Sequence, residues 1–256
     1  MKYPIILVHG IMLKDLWHFK AFGKIESILS GEGYSVYTAD HDGLGSVEGN
    51  AEQLKAYIDG VLSETGAERV NIIAHSKGGL DTLYMIDRLD MAKRVASVSF
   101  LCTPIRGSII ATKLYNLPRI IRSPLVWIFN LWYRIFGDKN PDALTACRQL
   151  VRSTDGTFEI GEHGDVFMQS YSTVLHRSRD DFLMGIPLRF SRRYESIPSD
   201  GMVSVESSMY KNYRGHCTDE SVSHSEIVDL FAKKKKKEKI YAFYKTLARE
   251  LEELGF

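Results

Sequence analysis

Short, unbroken apolar runs alternate along the chain with longer stretches whose apolar residues return every three or four positions. Pro4-Ile5-Ile6-Leu7-Val8 is such a run, and a strand buried on both faces of a parallel sheet needs that uniform apolarity rather than alternation. Residues 17–29 take helical spacing, and Gly31 and Gly33 punctuate its end. Residues 35–39 predict a second strand. Residues 49–62 predict a second helix, with Leu54, Ile58, Val61 and Leu62 on one face. A third strand over 69–74, a helix over 78–89 and a fourth strand over 95–101 continue the rhythm. Strands and helices that alternate so regularly imply a mostly parallel sheet of about six strands flanked by helices.

The rhythm breaks after Thr103-Pro104. Residues 105–164 predict an insertion on the sheet, within a single α/β domain spanning 1–256. A fifth strand is expected at 165–171, a sixth at 209–214 and a last helix over 225–254. Inside the insertion, "SPLVWIFNLWYRIFG" (residues 123–137) carries ten apolar residues in fifteen. That is far short of the roughly twenty needed to cross a bilayer, so no transmembrane segment is expected. The stretch predicts a lid or cap helix that shields a site, with Trp127, Phe129 and Trp132 as the candidates to meet an apolar substrate. Transient contact with a lipid interface would use the same face. The alternative is a cap helix whose aromatics simply pack.

Composition narrows the class. Apolar residues make up 44% of the 256, enough to build a large core without staples, and the net charge is +1. That balance gives no reason to invoke nucleic acid. Five adjacent lysines in "AKKKKKEK" (residues 232–239) read as a solvated helical face. Cys102, Cys147 and Cys217 form no CxxC pair or Cys/His cluster. Three reduced, mostly buried thiols are expected, with a Cys147–Cys217 bridge as the alternative. The chain enters a strand directly after Met1-Lys2-Tyr3, which leaves no room for a signal peptide. It reads as cytoplasmic as given, or secreted if a leader has been removed.

Chemistry concentrates at "VNIIAHSKGGLD" (residues 70–81), where the third strand runs into a helix through Ala74-His75-Ser76-Lys77-Gly78. A sharp strand–turn–helix elbow holds its central residue in a strained conformation and demands small residues two before and two after. Ala74 and Gly78 meet that demand. The elbow lifts the Ser76 hydroxyl to the carboxyl end of the sheet, where open α/β sheets place their sites. A serine hydroxyl attacks only when a base removes its proton and an acid orients the base. Later in the chain lie Asp200, in Ser199-Asp200-Gly201-Met202-Val203, and four histidines, His163, His176, His216 and His224.

Five blocks in this order, "PIILVHG", "VNIIAHSKGG", "TPIRGS", "SDGMV" and "SHSEIVD", resemble the bacterial triacylglycerol lipases of the α/β-hydrolase superfamily. The resemblance runs from about Tyr3 to Leu230 and is weak in the insertion. It implies the α/β-hydrolase fold, with Ser76 as nucleophile, Asp200 as acid and His224 as base. It further implies an oxyanion hole built from the backbone N–H groups of Ile11 and Lys77. Ala74 stands where GxSxG has its first glycine. His216, near the end of the sixth strand, competes with His224 as base. His9 is expected to pack and shape the loop before Ile11. Related lipases often hold a calcium ion near the catalytic histidine; here Glu226 would serve, with Asp180 or Asp181. The competing reading of Glu226 is a solvated carboxylate at a helix N-terminus. No redox or organic cofactor is implied. The expected function is hydrolysis of carboxylic esters of lipid or acyl-glycerol type through an acyl-enzyme. Alternatives are an acyltransferase or thioesterase on the same triad, or a non-catalytic acyl-lipid-binding protein of this fold.

Overall fold

The computed structural model describes residues 1–11, 20–152, 161 and 164–256. Its centre is a six-stranded sheet, every ladder of which is parallel, in the order β2-β1-β3-β4-β5-β6. The strands are β1 (Ile5–Val8), β2 (Val36–Thr38), β3 (Val70–His75), β4 (Val95–Leu101), β5 (Phe167–Ser172) and β6 (Tyr213–His216). β1, β3 and β4 are buried along their whole length, as the unbroken apolar run of β1 and the mostly apolar runs of β3 and β4 lead one to expect.

Helices cover both faces. On one side α2 (Val47–Thr65) and α3 (Lys77–Arg88) close a core with Leu54, Ile58, Ile72, Leu83 and Phe100. On the other, α1 (Ile25–Gly31) and the last helix, α9 (Lys234–Glu253), enclose Ile5, Leu7, Ile25, Leu29, Tyr244 and Leu247. Ser46 caps α2 by accepting from the amide of Gly49, and Gly66 ends it in a left-handed conformation.

Between β4 and β5 lie α4 (Ile109–Tyr115), α5 (Arg119–Ile135) and α6 (Ala143–Gln149). Two short helices follow β5, α7 (Gly185–Ser191) and α8 (Val205–Ser208); neither is expected from the sequence pattern.

Four boundaries differ from expectation, each for a local reason. The first helix was expected over 17–29, of which 17–19 lie outside the described residues. α1 begins only at Ile25, because Gly23 takes a φ of 49° with the Asp229 side chain packed where a Cβ would stand. α5 starts at Arg119 and runs through Pro124. The proline has no N–H to give Ile120, but that residue is exposed, so water can meet its carbonyl. β6 starts at Tyr213 rather than 209, since Asn212 sits at φ 46° and its side chain donates to the carbonyl of Met168. The last helix begins at Lys234, not 225. Residues 226–228 make one 3-10 turn that stops at Asp229, whose φ of 65° is left-handed.

Candidate active site

Ser76 occupies the elbow between β3 and α3 with φ 55° and ψ −132°, a strained conformation for any residue with a side chain. Close packing explains why its neighbours are small. A Cβ on Gly78 would stand 2.3 Å from the carbonyl oxygen of His9, and Ala74 is fully buried beside Val8 of β1. The amide of Ser76 donates to the carbonyl of Leu101 and ties the elbow to β4.

Residues remote in sequence converge on that hydroxyl. His224 Nε2 lies 2.8 Å from Ser76 Oγ, and His224 Nδ1 lies 2.7 Å from Asp200 Oδ2. The other oxygen of Asp200 accepts from the amides of Met202 and Val203, both at 2.8 Å, and the Asp200 carbonyl accepts from the His224 amide. Asp200 is buried, so it presents a fixed acceptor to the imidazole. His216, the competing base, bonds to Ser172 Oγ through Nδ1 at 2.7 Å, on the edge strand. His176 is exposed, and His163 lies outside the described residues.

Two further groups line the back of this chain, and the sequence pattern gave no sign of either. The ring of His75 lies 4.6 Å from that of His224. Burial, and then the neighbouring His224, hold His75 well below the usual imidazole range, so it stays neutral. Cys102, in a left-handed backbone conformation at the end of β4, brings its thiol into one cluster with Asp200 and His224. Burial pushes that thiol well above its ordinary value, and it remains protonated. No sequence motif signals this cluster, because the fold joins Cys102 and His224 across 122 positions of sequence. None of the three cysteines is in a disulfide.

The loop after β1 passes directly over the elbow. A Cβ on Gly10 would meet Ser76 Cβ at 2.7 Å and the Lys77 nitrogen at 2.9 Å. Lys77 opens α3, and the first amides of a helix have no intrahelical acceptor. His9 packs as expected, stacked on His41 at 4.1 Å, and its carbonyl accepts from His41 Nε2. The Lys77 side chain turns inward, where Nζ lies 2.7 Å from Asp81 Oδ1 with both groups fully buried. Asn50 donates to the other Asp81 oxygen. Sequence reasoning gave the Lys77 side chain no role; its i,i+4 spacing from Asp81 was the available signal.

A cavity of about 340 Å³ opens at Ser76 and His224. Its walls include Leu44, Ile110, Leu125, Val126, Phe129 and Tyr133, so the helices between β4 and β5 form its roof. Of the three aromatics expected to meet substrate, Phe129 lines the cavity. Trp127 and Trp132 face away and are 65% and 51% exposed.

The carboxylates expected to hold calcium are already engaged. Lys236 Nζ donates to Glu226 at 2.6 and 2.7 Å and to the Asp180 carbonyl at 3.4 Å. Asp181 accepts from Ser223 Oγ and the Met184 amide; Asp180 accepts from Ser221 Oγ and pairs with Arg177. Calcium takes six to eight oxygen ligands, and an ammonium already sits among these, so the donor set does not fit the ion. Glu226 is buried rather than solvated. The lysine run is not wholly a solvated face either, since Lys236 pairs with Glu226 and Lys237 with Asp229.

Among known proteins, a triacylglycerol lipase of Pseudarthrobacter phenanthrenivorans is 33% identical over 175 residues, covering 61% of this chain and 53% of the relative. One of Burkholderia plantarii is 33% identical over 175 residues, covering 61% and 47%. The chain thus spans about half the length of the curated relatives it matches. No family model matches it. The crystal structure of Staphylococcus hyicus lipase superposes with a TM-score of 0.68 at 15% identity, over 98% of this chain and 95% of that one. Mature Bacillus licheniformis lipase gives 0.63 at 19%, over 89% and 86%. A metagenomic carboxyl esterase gives 0.71 at 16%, over 98% and 76%. The chain is thus similar in sequence, over about 61% of its length, to bacterial triacylglycerol lipases, and it has the α/β-hydrolase fold of the solved lipases and esterase.

Proposed function

We propose that the protein hydrolyses carboxylic esters with lipid-like acyl chains through a covalent acyl-enzyme. The observation that carries this reading is the unbroken hydrogen-bond chain Ser76–His224–Asp200 at the floor of an apolar cavity. His224 Nε2 takes the proton as Ser76 Oγ attacks the ester carbonyl. Asp200 holds Nδ1–H and so fixes the tautomer and stabilises the imidazolium. The carbonyl oxygen, now negative, is met by the amides of Lys77 and Ile11, where a lost donor typically costs about 10²- to 10³-fold in rate. His224 then protonates the leaving alkoxide, activates a water and releases the acid, so no cofactor enters the scheme.

The apolar walls set the substrate class. They offer an acyl chain burial at about 0.8 kcal/mol per methylene, and few polar groups for a head group. The outer face of α5 extends the same chemistry, with Ile120, Trp127, Ile128, Trp132 and Ile135 all at least half exposed. From Ile109 to Gly137 the segment carries Lys113, Arg119, Arg122 and Arg134 and no acidic residue. A basic, aromatic, apolar face suits transient contact with a lipid surface. Among the described residues, no helix is long and apolar enough to cross a membrane.

The test is a p-nitrophenyl ester series from two to sixteen carbons on wild type and the Ser76→Ala, His224→Ala and His216→Ala variants. Turnover by wild type and His216→Ala alone is the expected result. A dead His216→Ala with an active His224→Ala would reassign the base. An inert wild type that still binds a fatty-acid probe would leave an acyl-lipid-binding protein, and acyl transfer to added alcohols would make it a transferase.

A further inference from the structure

The structure assigns to Lys236 a positioning role in catalysis: its ammonium is the built-in cation that holds the loop bearing His224. The inference rests on reading His224 as the base. That loop is Ser223-His224-Ser225-Glu226, and its ends are locked to each other. The Ser223 amide donates to Glu226 Oε2 at 3.0 Å, and the Glu226 amide donates to Ser223 Oγ at 3.2 Å. Ser223 Oγ in turn donates to Asp181 Oδ2 at 2.5 Å. The clasp therefore gathers carboxylates of two segments, 180–181 and 226, with Glu226 and Asp181 both buried.

Two buried carboxylates that both accept from Ser223 call for a positive charge beside them. Lys236 supplies it from the first turn of α9. Its Nζ reaches both oxygens of Glu226 and the carbonyl of Asp180, so one ammonium bridges the histidine loop to the 3-10 turn at Ser178–Asp180. Its own side chain is 14% exposed, against 82% for Lys235 beside it in the run. A divalent ion at this point would need the same oxygens that the ammonium uses. Lys236 thus does, from within the chain, the work of a metal that ties two acidic segments together. Its effect on the reaction passes through His224: losing it frees the clasp, and the imidazole no longer stays within hydrogen-bond reach of Ser76.

The decisive comparison uses wild type, Lys236→Met, Lys236→Arg, Glu226→Gln and the double variant Glu226→Gln/Lys236→Met, each with EDTA or with calcium chloride. Thermal unfolding and ester turnover are both recorded. Wild type should keep its Tm and kcat in either addition. Lys236→Met should lose about 10- to 100-fold in kcat, as expected for a misplaced catalytic group, with KM within about twofold because the acyl cavity is untouched. Lys236→Arg should regain most of that kcat, and the double variant should regain Tm over Lys236→Met by removing the unpaired carboxylate. A Lys236→Met variant with wild-type kcat overturns the proposal. So does an EDTA-induced fall of the wild-type Tm that Glu226→Gln abolishes, since a metal would then be the holder. If wild type hydrolyses no ester, the Tm arms still score the cation's role while the ester reading fails by itself.

Discussion

Consider removing the buried pair beneath the elbow, Lys77 and Asp81. At 2.7 Å and full burial, two unit charges attract by about 6 kcal/mol at an effective dielectric of about 20. Desolvation takes back several kcal/mol per ion. The two terms nearly cancel, and the structure carries a sign of it: burial outweighs the help from Lys77 and raises the Asp81 carboxyl to about 6. The pair as a whole therefore contributes little, while either charge alone is expensive. Asp81→Leu should cost about 3–5 kcal/mol, because it leaves the Lys77 ammonium buried and unpaired. Lys77→Met/Asp81→Leu, which replaces both charges by apolar groups, should return to within about 1 kcal/mol of wild type. Asn50 would lose its bond to Asp81 but keep the one to the Asp42 carbonyl.

Urea unfolding at constant pH 7, with equal m-values as the condition for comparison, measures all four corners of this cycle. The pH dependence supplies an independent check. A raised carboxyl pKa means that the folded state holds a proton which the unfolded state has released. Stability from Asp81 is therefore present below about pH 4 and is lost as pH rises towards about 6. The double variant should lack that loss. A double variant as damaged as Asp81→Leu alone would refute the reasoning, and would mean that the ion pair itself, rather than the avoidance of an orphan charge, stabilises the elbow.

Other perturbations bear on the same site. Gly10→Ala puts a Cβ 2.7 Å from that of Ser76 and 2.9 Å from the Lys77 nitrogen; kcat should fall by about 100-fold or more, with circular dichroism unchanged. His75 is held neutral when folded and gains a proton only when unfolded. Its share of stability is present above about pH 6.5 and is lost on acidification, on the order of 1 kcal/mol by pH 5.5. His75→Phe should lose that difference between pH 7.5 and 5.5 in urea midpoints. Phe129→Trp enlarges a side chain that lines the cavity; kcat/KM for the sixteen-carbon ester should drop at least about tenfold relative to the four-carbon one. Trp127→Ala, on the outer face, should leave soluble short esters untouched and weaken turnover only on emulsions or vesicles.

What the sequence discloses and what it conceals follow from the range of the interactions involved. The strands β1, β3 and β4 are legible because burial on both faces makes most positions of a short run apolar. Ser76 is legible because its strained backbone forces smallness on Ala74 and Gly78, residues adjacent in the chain. Asp200 and His224 are a harder case: the spacing between them carries no period, and only their likeness to a family pattern singled them out from four histidines. The pattern fails wherever a side chain from another segment decides the outcome. Asp229, packed on Gly23, delays α1; the bond from Asn212 to Met168 delays β6. Lys236 is the sharpest instance. In sequence it is one of five identical lysines, and nothing local distinguishes the one that turns inward from the one beside it that does not. Helical geometry distinguishes them, because one residue along an α-helix rotates the side chain by about 100°. Only the fold places Glu226 on one of those bearings. A charge run is therefore read correctly as solvated on average and wrongly at individual members, and one of those, Lys236, sits behind the loop that carries His224.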